Sequence, residues 1–381
     1  MSGNEFDLLV IGEGLAGINA AAVACRQGMR VMLASKGPGS FVLGTACLDL
    51  EGITAAELSP FEYSPAMMEE AIASFRDLSA RAGCAYHGGM REQRLVPTVM
   101  GTFQSVSMAP RSIWKGDPTG VAKAVVVGID HLSVFDPDFV AERLFLYTQR
   151  MGLTTSYRSV TVQLPDEDTH PLTTVEIATR WDRNPAYRGA FVEALKRVVQ
   201  DAALLILPGV LGVKSDDDEF FQLEEEIGCA ICELPTVPPS VPGLRLLHRF
   251  ENHLARIGVE MCTGFSVQNL CLDGDRCTGA YLDVPGKPRR IQADCVVLAS
   301  GRFSQLLVPQ ESKLDSSLGA AHVNQEFRPV NRDGSILATN LFVCGSVLGS
   351  SEPRHGNAIA VLTGYHAGML ASRTGVTYAA R

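Results

Sequence analysis

Residues Phe6–Ile11, FDLLVI, run directly into Gly12-Glu13-Gly14-Leu15-Ala16-Gly17, and this junction decides the fold. The apolar run has the length and branching of a buried strand. The segment after it, Leu15–Gln27, is rich in alanine, reads as a helix and is stopped by Gly28. Met29–Ser35 is then a second apolar run, so strand, turn, helix and strand fit within about thirty residues, the size of one βαβ unit. Each glycine has its own physical task in that unit. Gly12 permits the tight turn, Gly14 lets a pyrophosphate approach the main chain, and Gly17 lets the helix pack on the strand. The start of the helix, at Leu15, Ala16 and Gly17, offers unpaired N–H groups and a positive dipole end to phosphate.

Further along the chain the same strand-to-glycine texture returns. Asp294–Gly301 is an apolar strand ending in Ser300-Gly301, and Asn340–Gly345 closes on Gly345-Ser346. A last helix, Asn357–Ala371, follows Gly356. Several short strands, Val259–Cys262, Ser266–Leu272 and Cys277–Asp283, form a meander before them. The middle is different, with stretches rich in Pro, Gly, Ser and Thr and with helices read over Asp138–Met151 and Ala186–Ala202. The expected fold class is therefore α/β: a Rossmann-like FAD/NAD(P)-binding domain assembled from 1–85 and 260–381, with a cap or substrate domain, 86–259, inserted in it.

Two features favour a flavin over a nicotinamide. Gly301 and Gly345-Ser346 resemble the second and third contact segments of two-dinucleotide flavoproteins. The helix opening at Gly356-Asn357 would also direct its N-terminus at a reduced isoalloxazine and stabilise negative charge there. Taken literally, the glycine fingerprint argues for FAD. Against this, the second strand ends in Ser35-Lys36 where an Asp or Glu would accept the adenosine ribose hydroxyls, and Ser346 stands where many flavoproteins place an aspartate. Lys36 either favours a phosphorylated ribose or is an exposed loop lysine. His355, in Arg354-His355-Gly356-Asn357, is a candidate base beside a flavin ring or a residue lining the loop. Arg245 and Arg302, with Arg328 and Arg354, are candidates for a phosphate clamp or ordinary surface arginines.

Composition narrows the function classes. The 381 residues carry 33 basic and 42 acidic side chains, a net charge of −9, with no Lys/Arg block that would suit a nucleic-acid groove. Apolar stretches such as Ala122–Ile129 are far short of a membrane span, and the N-terminus lacks a basic leader, so a cytoplasmic protein is expected. The ten cysteines sit mainly in apolar segments. Cys229 and Cys232 have CxxC spacing but no second matching pair, so no metal site is expected. Asp216–Glu219 and Glu224–Glu226 read as a solvated acidic helix face.

Several motifs in order carry a family likeness. They are Leu234–Leu246 (LPTVPPSVPGLRL), Val127–Asp136 (VGIDHLSVFD), Pro97-Thr98 with Gly101-Thr102, the Gly44–Asp49 loop, and Asn340–Gly349 before the terminal helix. With them the chain resembles the B subunit of anaerobic glycerol-3-phosphate dehydrogenase from end to end. The resemblance implies a flavoprotein that oxidises sn-glycerol 3-phosphate to dihydroxyacetone phosphate, or relays the electrons, with quinone as the indirect acceptor. It implies FMN as the flavin, and Gly44 as part of the flavin site. It also implies a flavin-containing A subunit and an iron–sulfur C subunit that attaches the complex to the inner face of the cell membrane. Two alternatives stay open: a stand-alone flavin reductase or dehydrogenase of the fumarate-reductase-like type, and a non-catalytic assembly subunit with a decayed flavin site.

Overall fold

A computed structural model of the chain describes residues 5–58, 61–165, 170–301, 314–315, 320–331, 333–348 and 353–379. Two compact units divide it: Met1–Ser40 with Gly52–Leu78 and Phe250–Arg381, and Phe41–Glu51 with Ser79–Arg249. The crossings fall several residues before the boundaries expected near 85 and 260. Residues 41–51, read as part of the first domain, group with the second unit.

The first unit is built outward from β1, Glu5–Glu13. Leu8, Leu9 and Val10 have no exposed surface, as a strand covered on both faces requires. Helix α1, Leu15–Arg26, returns the chain to β2, Val31–Pro38, which pairs parallel to β1 with Leu8 opposite Val31 and Val10 opposite Leu33. Glu260–Thr263 adds a parallel strand outside β2. On the other side of β1 lies Arg289–Leu298, also parallel, with Leu8 opposite Cys295. Leu341–Val343 pairs parallel to that strand, and the antiparallel strands Arg276–Leu282 and Val267–Asp273 complete the sheet. This is a Rossmann-like sheet made from both ends of the chain. Its register puts the C-terminal ends of β1, β2 and Arg289–Leu298 together, where ligands of open α/β sheets bind.

The terminal helix, Gly356–Ala379, crosses α1 at very short range. A side chain at Gly364 would run into the Ala16 carbonyl oxygen, and one at Gly368 would stand 2.7 Å from the Ala20 oxygen. Small residues on both helices allow that approach, and Asn19 fixes its register by donating Nδ2–H to the Val361 carbonyl at 2.8 Å. Replacing Gly364 with any larger residue would therefore force the two helices apart.

The second unit corrects the reading of the middle of the chain as lacking strand-to-glycine units. Ala230–Leu234, Leu204–Pro208, Lys123–Ile129 and Ser156–Val162 form a four-stranded parallel sheet in that order. Helices Pro137–Arg150, Thr174–Arg183, Pro185–Val199 and Asp217–Ile227 accompany it. The strands are short and their ends are marked by proline, so the loop-forming residues around them hide the period. Asp216 accepts the Glu219 N–H at 3.0 Å, so the acidic run begins as a helix cap and continues in a first turn favourable to negative charge. Cys229 immediately precedes, and Cys232 lies within, the edge strand Ala230–Leu234 of this unit. Burial pushes the Cys229 thiol up to about 11 and the Cys232 thiol further, so neither supplies a thiolate near neutral pH.

Candidate functional site

The turn from β1 to α1 divides its three glycines by role. Gly12 has φ +114°, and a side chain there would run into the Ala299 carbonyl oxygen. A side chain at Gly17 would collide with the Gly12 oxygen, so the helix rests on the turn itself. Gly14 is the N-cap of α1, has extended backbone (φ −80°, ψ 174°), and makes no side-chain cap. Beyond Gly14 itself and its two chain neighbours, no atom of the described residues lies within 4 Å of the point where its Cβ would stand. The first N–H groups of α1 have no partner inside the helix, which begins its ladder with Ile18 N–H donating to the Gly14 carbonyl at 2.9 Å. Two glycines thus hold the turn shut and the third leaves space in front of bare amide donors.

The far wall is formed by the ends of the neighbouring strands. Ala299 N–H donates to the Ile11 carbonyl and Cys344 N–H to the Leu298 carbonyl, tying the three strand ends together. Gly301 (φ +81°) and Gly345 (φ +77°) both need the left-handed region. The Cβ position of Gly345 falls 2.8 Å from the Ala16 Cβ, and that of Gly301 falls 3.9 Å from the Ser346 hydroxyl. The Gly345 N–H donates to the Thr363 hydroxyl on the terminal helix at 2.9 Å. The structure therefore brings Gly12, Gly14, Leu15, Ala16, Gly17, Gly301, Gly345 and Ser346 to one edge of one sheet. Gly356 and Asn357 open the terminal helix of the same unit.

Three sequence-predicted residues have other surroundings. Lys36 is exposed beyond the buried Ser35. Gly44 belongs to the second unit, where its carbonyl accepts the Ser240 hydroxyl at 2.7 Å, so the proline-rich segment holds the Gly44 loop. Arg302 lies outside the described residues. Arg245, expected as a phosphate clamp, is buried in the second unit and pairs with Glu233 through two hydrogen bonds, 2.5 and 3.1 Å, while its Nε–H donates to the Gly212 carbonyl at 2.8 Å. Glu233 also accepts the Val210 and Leu211 N–H groups. The pair serves the internal architecture of that unit.

Three residues of the first unit escaped the reading of the sequence. Gly39 packs on the turn, its Cβ position 2.5 Å from the Gly14 Cα. Glu57 accepts from Thr54 N–H at 3.0 Å and lies 2.7 Å from Nδ1 of His355, which has no exposed surface. Burial works against its charge, but the Thr54 N–H, His355 and the Thr54 hydroxyl together hold its carboxyl below the ordinary value. Glu13, the variable residue of the fingerprint, is 4% exposed and accepts the Ser35 hydroxyl at Oε2 over 2.8 Å. Burial, and then the adjacent Glu251 carboxyl, push Glu13 up to about 7 against the pull of Ser35. The spacing Thr54-x-x-Glu57 marks a helix start, but the contacts of Glu57 with His355, of Glu13 with Ser35 and of Gly39 with Gly14 come from the fold and not from neighbours in sequence. A cavity of about 230 Å³ near Tyr63 and His366 on the same unit includes none of the predicted site residues.

The family model described as FAD binding domain matches residues 7–248 and 164–324, more than half of the chain. The chain belongs to the FAD binding domain family. Family membership gives the cofactor class, a flavin, and the open space at Gly14 before the α1 amides fits the phosphates of such a nucleotide. Among curated relatives, the chain is similar to the probable B subunit of the anaerobic glycerol-3-phosphate dehydrogenase of Halobacterium salinarum, 27% identical, with 97% of this chain and 98% of the relative covered. The B subunit of the anaerobic glycerol-3-phosphate dehydrogenase of Glaesserella parasuis serovar 5 is 26% identical, with 94% and 97% covered. Among solved structures, 3-ketosteroid delta1-dehydrogenase from Sterolibacterium denitrificans matches at 15% identity and a TM-score of 0.37, covering 79% of this chain and 48% of that one.

Proposed function

We propose that this member of the FAD binding domain family is the flavin-bearing B-type subunit of an anaerobic glycerol-3-phosphate dehydrogenase. It oxidises sn-glycerol 3-phosphate to dihydroxyacetone phosphate or relays the electrons of that oxidation toward quinone. The observation that carries the reading is the bare start of α1 at Gly14, set at the C-terminal edge of a parallel sheet. The near-complete overlap with relatives bearing that name supports the choice of substrate. A bound flavin would supply the acceptor for hydride leaving an alcohol carbon. Leu15, Ala16 and Gly17 would hold phosphate through their N–H groups. Ser346, Gly356 and Asn357 would lie near the ring end, and His355, oriented by Glu57, would take the alcohol proton.

Relaying is the favoured half of this proposal for two reasons. His355 is wholly buried, and Arg245 is consumed by Glu233 and not available to a substrate phosphate. The partners are then a flavin-containing A-type subunit, where substrate is oxidised, and an iron–sulfur C-type subunit at the inner face of the membrane. The described residues of this chain contain no helix long and apolar enough to cross a membrane. Dye-linked oxidation of glycerol 3-phosphate by the chain alone and by the chain with its A-type partner tests the reading. Flavin retention with turnover only in the assembled pair is expected; turnover by the chain alone at the rate of the pair contradicts relaying, and failure to bind any flavin removes the proposal.

A further inference from the structure

The cavity of about 230 Å³ near Tyr63 and His366 plays no part in the flavin reading, and its walls have a chemistry of their own. It lies within the first unit, lined by the start of helix Pro65–Arg81, the middle of the terminal helix and the segment around Phe327. Four aromatic rings and an imidazole line it, and they meet one another in series. The Phe61 and Phe327 rings are stacked, with centres 3.5 Å apart and planes within 11° of parallel. Tyr63 stands edge-on to Phe61 at 80°, His366 to Tyr63 at 72°, and Tyr365 to His366 at 88°. Rings turned in this way wall a space from more than one side, and aromatic faces carry negative electrostatic potential. One of them is held against backbone preference. Phe327 has φ +62°, rare for a bulky residue, and is tied there by Val343 N–H, which donates to its carbonyl at 2.8 Å.

Charge around the cavity points the same way as the rings. Of the charged side chains lining it, Glu62 and Glu70 are acidic and Arg373 is basic, so the lining is negative overall. The Tyr365 hydroxyl donates to Oε1 of the exposed Glu70 at 2.6 Å and so fixes a carboxylate beside the rings. Burial pushes His366 down to about 4, so the imidazole adds no positive charge to the wall near neutral pH. An anion would meet carboxylates and the negative faces of the rings, and a neutral molecule would leave the Glu70 charge unused. We infer that this cavity binds a small soluble organic cation of the alkylammonium class, with aromatic walls around its charged head and Glu70 as counter-ion. A methylated ammonium suits such walls best. It is weakly hydrated, loses little on leaving water, and is attracted to several rings at once.

The experiment titrates the full chain in a calorimeter with choline and with its uncharged analogue, in which carbon replaces the ammonium nitrogen. The wild type is expected to bind choline with a Kd of about 1 mM or tighter and the analogue about tenfold more weakly, the share of affinity that depends on the positive charge. Glu70→Gln, at an exposed side chain, should keep the fold and the flavin content and weaken choline about tenfold. Tyr63→Leu replaces a ring by an aliphatic side chain; it should weaken choline about fivefold and leave the analogue within about twofold. Glu70→Gln carries the test alone if the leucine variant does not fold. Equal affinity for choline and the analogue overturns the inference, and so does a wild type that binds neither. Unchanged choline affinity in Glu70→Gln overturns it as well. Sedimentation of the chain with phosphatidylcholine vesicles, without binding of free choline, also overturns it, because the ligand would then be a lipid surface.

Discussion

Each unit is an α/β layer with strands that lead into helix starts, yet α1 of the first unit and the longer helices of the second begin in opposite ways. In the second unit, Asp136 accepts the Asp138 and Phe139 N–H groups at 3.0 and 3.1 Å, and Asn184 accepts those of Ala186 and Tyr187 at 3.1 Å. Thr173 and Glu176 form a complete capping box, and Asp216 closes a fourth helix. The glycines at its strand ends are filled from outside: the Cβ positions of Gly128 and Gly209 both fall 2.6 Å from proline ring carbons, of Pro137 and Pro242. In the first unit, α1 starts at Gly14 with no side-chain cap and open space before it. A helix that caps itself has spent its amides on its own side chain. A helix that begins on a bare glycine keeps them for a ligand. Under the proposed function, the difference leaves scaffolding to the capped helix starts and phosphate binding to α1.

The comparison can be broken most severely at Gly17. Gly17→Val would drive a branched side chain into the Gly12 carbonyl, and the chain is expected not to fold, seen as loss of soluble protein or of a cooperative melt. Next in size is Arg245→Ala, which strands the fully buried Glu233 carboxylate. About 3–5 kcal/mol of stability should be lost, read by denaturant unfolding. Asp136→Ala removes one self-made cap and should cost about 1 kcal/mol in the same measurement.

A smaller effect should appear in the pH dependence of the flavin-free chain. Burial and Glu251 raise Glu13 to about 7 in the folded state, so between its ordinary value of 4.5 and about 7 the folded chain binds more protons than the unfolded one. Stability therefore falls as pH rises through that window, and the contribution is complete below it and lost above it. Glu13→Gln should flatten this part of a melting-temperature profile; an unchanged profile would show that the carboxyl titrates as an ordinary exposed acid.

Much of the first unit was legible in the sequence because its signals are local. A β-strand, three glycines at fixed offsets and an alanine-rich helix occupy 22 consecutive residues, Glu5–Arg26, and Gly12 and Gly17 are each demanded by a contact within the turn or one strand away. The antiparallel pair Val267–Asp273 and Arg276–Leu282 and the terminal helix were readable for the same reason, but Val259–Cys262, read as the first strand of that meander, instead lies parallel to β2 at the opposite edge of the sheet. The second sheet was hidden because its strands are only five to seven residues long and some, such as Leu204–Pro208, end in proline and glycine, which mimic loop composition. Of the site, the backbone cradle was readable and the side chains were not. Glu13 meets Ser35 across 22 positions, and Glu57 meets His355 across 298. Only the fold reveals such pairs. Arg245 shows the converse: an arginine in a motif-rich segment looked like a ligand clamp, but its partner Glu233 lies on the adjoining strand.

Gly14→Asp offers the most direct test, because it gives α1 the kind of cap that Asp136 and Asp216 give two helices of the second unit. Stability should change by only about a few tenths of a kcal/mol, since glycine is itself a tolerable N-cap. The new carboxylate would nevertheless occupy the space before the α1 amides and repel phosphate. Flavin released from equal amounts of purified, folded wild type and variant, identified by mass, decides the matter: an equimolar flavin from the wild type and almost none from the variant is the predicted result, and equal flavin from both would contradict it.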